Sequence, residues 1–373
     1  MRQAYAASAA CAGIGPSGEL VRIPGMERGG LEETRGQVVA RRLRTVPPIV
    51  LGLLVVTALL PLLVVVAVVV DLVRRLVRGT PFMALRLLAF LWAYLAAETI
   101  GLLALLAIWV ASGLGARRAW LAERTWRFQQ VWAGALFNAA RALFDLRVEV
   151  SGDEVVAPGP VLVLIRHASI VDNLLPSVLV ARAHRIHLRY VLKRDLLSDP
   201  CLDVAGKRLP NYFVRRGTGE EVERRNVRRL AEGLGPEDGV LLYPEGTRFT
   251  EERRGQAIER LERSDPDLAE CARGIRHLLA PRPGGFLALL DGAPEADVVV
   301  LAHQGFDGLR LISDIWGGAL VGRTIHVRFT RTPRAAIPAD RAGAVRWLFD
   351  AWSEADAWVG EQLAHEAAAA VSA

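Results

Sequence analysis

Positions 49–70, IVLGLLVVTALLPLLVVVAVVV, are apolar without a single charge, and about 20 such residues in a helix cross a hydrocarbon core. The pattern predicts a transmembrane helix, kinked at Pro61, which removes one backbone donor and crowds the preceding turn. A second apolar run, 87–110, reads as another membrane helix with one carboxyl, Glu98, in its middle. A carboxyl in lipid is costly and marks a functional residue by default. Because Glu98 divides the run, the favoured reading is a re-entrant or interfacial helix with Glu98 turned toward the headgroups. Between 119 and 144, Trp120, Leu121, Phe128, Val131, Trp132, Ala135, Leu136 and Leu143 recur at helical spacing among Arg and Gln. This amphipathic helix suits either a membrane interface or the surface of a soluble domain.

Beyond Gly152 the texture changes. Short apolar runs at 161–165, 188–192, 212–214, 240–243, 298–302 and 325–330 read as strands, and helical periodicity covers 173–183, 220–234, 267–279 and 342–362. Strands alternating with helices predict an α/β domain, a largely parallel sheet flanked by helices. The chain therefore divides into a disordered leader, 1–44, containing Met26 as a candidate start; a membrane anchor, 45–118; and a domain, 119–373, led by the amphipathic helix.

Composition fits that division: 52% of residues are hydrophobic although 23% are charged, so apolar residues must be concentrated locally. The formal charge of +6 favours an anionic partner, whether nucleic acid, an anionic leaflet or a phosphate-bearing substrate. Cys11, Cys201 and Cys271 are odd in number and widely spaced, which indicates neither a disulfide framework nor a zinc site. The first residues lack the basic start and immediate apolar run of a cleavable signal. Arginines at 35, 41, 42 and 44 and at 117, 118, 124 and 127 place both ends of the anchor in the cytoplasm, while Arg74, Arg75 and Arg78 between the apolar runs oppose that topology. A hairpin entering and leaving one leaflet would reconcile them.

The chemistry concentrates in two stretches. In VLVLIRHASIVDN a buried strand runs into His167, with Asp172 five positions on. Active groups of open α/β sheets gather beyond the carboxyl ends of strands. Five residues correspond to about 140° on a helix, so the pair cannot touch within one helix. His167 must sit in the loop and Asp172 in the next helical turn. A carboxylate that fixes the imidazole tautomer makes a general base, and no serine or cysteine nucleophile is then required, because a substrate hydroxyl can attack. In GVLLYPEGTRF a second strand precedes the turn Pro244, Glu245, Gly246, Thr247, Arg248. Here Gly246 permits close backbone approach, Glu245 can accept from a hydroxyl, and Arg248 can fork onto phosphate.

Together these stretches resemble the glycerolipid acyltransferase family, whose members carry N-H-x-x-x-x-D and, downstream, F-P-E-G-T-R. This chain reads RHASIVD and YPEGTR, with Arg166 in place of the Asn and Tyr243 in place of the Phe. Between them YFVRR resembles the family's F-I-x-R block, which puts Arg216, or its neighbour Arg215, at the position associated with the acceptor's phosphate. Lys193, one of two lysines in the chain, stands where the family often has a basic residue after its second strand. The segments HLLAPRPGGFLALL and WLFDAWSEADAW resemble the lysocardiolipin-type branch, and the whole likeness covers about 120–358.

The resemblance implies acyl transfer from a thioester, acyl-CoA or acyl carrier protein, to the free hydroxyl of a lysophospholipid. Lysophosphatidic acid is the first candidate acceptor; lysocardiolipin, another lysophospholipid or a glycolipid is the alternative. His167 and Asp172 would be catalytic, and Arg216, Glu245, Gly246, Thr247, Arg248 and Lys193 would bind substrate. No cofactor, metal or nucleic acid is implied; the partners are the two substrates and the bilayer, with the catalytic domain on the cytoplasmic face. A thioesterase, with water replacing the acceptor, and a non-catalytic membrane-surface module are the other classes. The remaining histidines, 184, 187, 277, 303, 326 and 365, read as packing or surface residues.

Overall fold

A computed structural model describes residues 33–372 apart from 170, 215–219 and 308–311. Met26, Cys11, Arg215 and Arg216 lie outside the described residues. The helices begin with α1, Arg35–Ala58, opened by a reciprocal cap in which Thr34 accepts from Gln37 N and the Gln37 side chain accepts from Thr34 N. Residues 35–44 are therefore the first turns of a helix, not part of a disordered leader. α1 ends at Leu59, and α2, Leu60–Arg78, leaves at 75° to it. The expected single span over 49–70 is thus broken into two helices. Pro61, without an N–H to donate, opens the second of them instead of kinking the first.

α3, Ala84–Ala111, is the one described helix that is long and apolar enough by itself to cross a membrane. Its first turn is capped from outside: Asp71, buried on α2, accepts from the amides of Met83, Ala84 and Leu85 at 2.8–2.9 Å. These three amides have no intrahelical partner, and the carboxylate also opposes the positive end of the helix. The three helices lie against the rest of the chain through polar contacts that an anchor in lipid does not need. Arg41 and Arg42 reach Asp203 at 2.8 and 3.0 Å, and Arg74 donates to the Trp316 carbonyl at 2.7 Å with its guanidinium over the Trp316 ring.

Glu98 faces protein. It is buried, and it accepts from the amide of Cys201 at 3.0 Å, in the first turn of α5, Pro200–Gly206. The expectation that it looks toward the headgroups fails because that orphan helix-start amide supplies a partner in the interior. Gly101, one turn on, admits Cys201: a Cβ there would lie 2.6 Å from its sulfur. α4, Arg118–Phe144, follows and packs its Leu121, Leu136, Phe137 and Phe144 inward, so the amphipathic helix lies on the domain.

The domain is built on a seven-stranded sheet. Its strands are β1 Arg147–Ser151, β2 Val161–Ile165, β3 His187–Lys193, β4 Tyr212–Val214, β5 Asp238–Leu242, β6 Asp297–Gln304 and β7 Thr324–Thr332, in the order β1-β7-β6-β2-β5-β3-β4. Every neighbouring pair is parallel except β6 and β7. The central β2 is buried on both faces, as parallel strands covered by helices are. Leu162 and Leu164 pack on one side with Phe286, Phe349 and Trp352, and Val161, Val163 and Ile165 on the other with Phe137 and Phe306. Each such side chain contributes roughly 1.5–3 kcal/mol over exposure.

The first face is covered by α6, Glu220–Ala231, by α9, Pro283–Gly292, and by α11, Arg341–Ser372. Two further helices, α7, Glu251–Ser264, and α8, Pro266–Gly274, carry the chain toward α9. α10, Ile312–Trp316, is the short helix after β6. The periodicity at 173–183 becomes a 3-10 turn, Val171–Leu174, and a π-helical segment, Pro176–Arg182. The helix expected to reach 279 stops at Gly274, because Asp356 on α11 takes the amides of Arg276, His277 and Leu278 at 2.6–3.0 Å.

Candidate active site

The last ladder pairs of β2 are Leu164 with Leu242 and Ile165 with Leu301, so β2, β5 and β6 end at one edge of the sheet. The chain leaves β2 at Arg166 and turns back on itself. Asp172 accepts from the amides of Ala168 and Ser169, both at 2.8 Å, and lies 3.3 Å from Nδ1 of His167 through each of its oxygens. The carboxylate is wholly buried and the imidazole nearly so, its side chain 9% exposed. Donation from Nδ1–H to Asp172 leaves Nε2 with a lone pair, which is the tautomer a general base requires. The ring of Tyr243 lies against His167, centroids 4.6 Å apart.

Glu245, three residues past β5, is an internal strut. Its carboxylate accepts from His167 N at 2.7 Å and from Leu279 N at 2.9 Å, and it is buried. Each of its oxygens takes one backbone amide, so the carboxylate expected to bind substrate also ties three loops together. Phe249 N returns a bond to the His167 carbonyl at 3.1 Å. Burial pushes the Glu245 carboxyl up to about 8, against the two amide donors and the Arg166 charge that favour ionisation.

Glu245→Gln therefore has two expected consequences. The carboxamide NH₂ cannot accept, so one amide loses its partner and stability falls by about 1–3 kcal/mol. A carboxyl held above its unfolded value of 4.5 stabilises the fold most at low pH and loses that contribution as pH rises to about 8. The gap between wild type and variant should thus narrow between pH 5 and 9. Melting curves across that range check it, and a constant gap would show that Glu245 stays ionised.

The other sequence-predicted residues are placed as follows. Gly246 has φ +68°, in the region glycine enters freely, and a Cβ there would crowd the Arg282 side chain at 3.3 Å. Thr247 and Arg248 continue the same turn, partly exposed, with the Arg248 carbonyl accepting from Arg253 at 3.0 Å. Lys193 is exposed at the end of β3, beside Val214 of β4 in register. Arg216 follows β4 by two residues, so β3 and β4 bring Lys193 to the edge from which that block departs.

Two contributors escaped the sequence reading. His303, wholly buried on β6, donates from Nε2 to the Arg166 carbonyl at 3.1 Å and has Asp172 at 3.7 Å. Burial holds it down at about 4, hence neutral. Asp307 pairs with the Arg166 guanidinium. The signal for it was available: an Arg at the end of a buried strand demands a carboxylate, although nothing local says which one.

Residues 147–290 match the Acyltransferase family model. Lysophosphatidylinositol acyltransferase 10 of Caenorhabditis elegans is 24% identical over 255 residues, 63% of this chain and 60% of that protein. The 1-acyl-sn-glycerol-3-phosphate acyltransferase gamma of Mus musculus is 29% identical over 208 residues, 53% of this chain and 52% of its own length. Lysocardiolipin acyltransferase 1 of Danio rerio is 23% identical over 254 residues, 64% and 61% respectively. The match thus spans between half and two thirds of each relative. Among solved structures, the 1-acyl-sn-glycerophosphate acyltransferase PlsC of Thermotoga maritima aligns over 74% of this chain and 97% of its own, with 13% identity and a TM-score of 0.44. The matched residues contain the folded-back His167–Asp172 loop and the PEGTR turn, and this part of the chain is an acyltransferase domain similar to those of the glycerolipid acyltransferases.

Proposed function

We propose that the chain transfers a fatty acyl group from acyl-CoA or acyl carrier protein to the free hydroxyl of a lysophospholipid, with lysophosphatidic acid as acceptor. The observation that carries this reading is the buried Asp172 on Nδ1 of His167, which leaves Nε2 for a substrate proton. In this scheme Nε2 takes the proton of the acceptor hydroxyl as its oxygen attacks the thioester carbonyl. The tetrahedral species collapses with loss of the thiolate, which recovers the proton from the imidazolium. Asp172 stabilises that imidazolium, and Gly246 and Thr247 shape the wall of the acceptor site.

The relatives' names share one feature of the acceptor, a phosphate on a lysolipid. Arg216, Arg248 and Lys193 are assigned to it. Arg216→Ala is expected to raise the acceptor's KM about tenfold or more with little change in kcat, and to matter less for an acceptor without phosphate. Arg215→Ala is the control. Equal loss on both acceptors would refute the phosphate role.

The apolar surfaces of the first three helices favour a membrane location, and the arginines that flank the apolar runs are the reason for assigning the catalytic domain to the cytoplasmic face. Leu76 and Val77 on α2 are 86% and 74% exposed, and Ile100, Leu103 and Leu106 line the open side of α3. The deciding assay presents purified protein in detergent with labelled acyl-CoA and acyl carrier protein and a panel of lysophosphatidic acid, lysophosphatidylinositol, lysocardiolipin and a glycolipid. Thioester cleavage equally fast without any acceptor would select a thioesterase instead.

A further inference from the structure

Arg166 replaces the asparagine of the family pattern directly before the proposed base, and its side chain turns inward. Nη1 donates to the His303 carbonyl at 2.6 Å and Nη2 to the His277 carbonyl at 3.0 Å. Both nitrogens also meet the Asp307 carboxylate, Nη1 at 3.2 Å, in a two-pronged pair. In return His303 Nε2 donates to the Arg166 carbonyl. The tips of β2 and β6 are thus locked beyond their last ladder pair. Through His277 the lock reaches the segment whose Leu279 amide holds Glu245.

The lock buries a permanent cation on the residue before His167, within electrostatic reach of Asp172 and Glu245, the two carboxyls that contact His167. An isolated buried guanidinium there would oppose proton uptake. Asp307 is its direct counter-charge, and with its side chain 23% exposed it is the partner nearer solvent. Burial pushes the Asp307 carboxyl up, and Arg166 more than reverses this, holding it below the ordinary carboxylate range.

We propose that Arg166 and Asp307 are positioning residues: Arg166 fixes the loop that presents His167, and Asp307 cancels the Arg166 charge so that His167 can take a proton. The proposal rests on His167 as the base. The other charged and titratable groups around that histidine are Asp172 in the following turn, Glu245 beyond β5, Tyr243 at the end of β5 and the neutral His303 on β6.

The test reads His167 itself, independently of acyl transfer. Protein labelled with 15N-histidine is titrated by NMR in detergent, and the His167 signal is assigned by its loss in His167→Gln. Asp307→Asn removes the direct counter-charge of the cation, and the midpoint should fall by on the order of half to one pH unit. Arg166→Gln leaves the anion, and the midpoint should rise by a similar amount. The double variant should return close to wild type. It also removes both charges together, so if Arg166→Gln fails to fold, Asp307→Asn against the double variant still decides. A midpoint that falls as far in the double variant as in Asp307→Asn, the mark of a loosened loop with no part played by charge, or no shift in any variant, overturns the proposal. Full transfer activity in a folded His167→Ala protein would instead refute the base assignment while leaving the titration to be read separately.

Discussion

Turnover of His167→Ala is expected to fall by about 10² to 10⁴-fold, the usual contribution of a positioned general base, with acceptor binding and melting temperature nearly unchanged. The expectation of a folded variant follows from the geometry. The His167 backbone carries the structural bonds, through its N–H to Glu245 and its carbonyl from Phe249, and these survive truncation of the ring. Asp172→Asn separates tautomer control from loop fixation. Asp172 accepts the amides of Ala168 and Ser169 through one and the same oxygen, so a carboxamide with its oxygen there keeps both loop bonds while its NH₂ faces His167 Nδ1 and cannot accept from it. Its turnover loss should come with a melting temperature close to wild type, whereas Asp172→Ala should lose both. Near-normal transfer by folded His167→Ala would sink the mechanism. Loss of activity together with unfolding would show the residue to be structural.

Deletion of residues 1–118 is expected to destabilise the remaining domain by at least about 3–5 kcal/mol, the usual cost of breaking a buried ion pair from one side. From sequence alone, that deletion reads as costing membrane attachment more than folding. The contacts of the first three helices with the rest of the chain add a folding cost to that expectation. Asp203, wholly buried, depends on Arg41 and Arg42; the Cys201 amide depends on Glu98; and Met83 sits in the same apolar cluster as Phe137 and Phe306. An aggregated product, or a monomer melting roughly 6 to 20 °C lower than the full chain in detergent, is the expected outcome. A truncated domain as stable as the full chain would show that these contacts contribute nothing. An Arg41→Ala, Arg42→Ala double variant in the full chain isolates the ion pairs, since it leaves the apolar contacts in place.

What the sequence determined by itself is local. The run VLVLI can only be a strand buried on both faces, and a histidine directly after it must emerge at the sheet edge, because strand geometry leaves it nowhere else. The spacing of five excluded a shared helix and so required the backward turn that Asp172 makes with two amides. Pairings across the chain depended on tertiary structure. Alternation of apolar residues does not encode strand direction, so the antiparallel β7 was not legible. Hydropathy reports that 49–70 is apolar but not that its helix breaks at Leu59 and turns by 75°. Glu98 looked like a charge in search of headgroups until α5 brought an unpaired amide to it. Glu245 reads from the sequence as a substrate contact, and the two loops that donate amides to it are visible only in the fold. For both carboxyls, the sequence names a polar group that needs a partner, and only the folded chain, by bringing residues 34 to 103 positions apart into hydrogen-bond range, decides which partner it has.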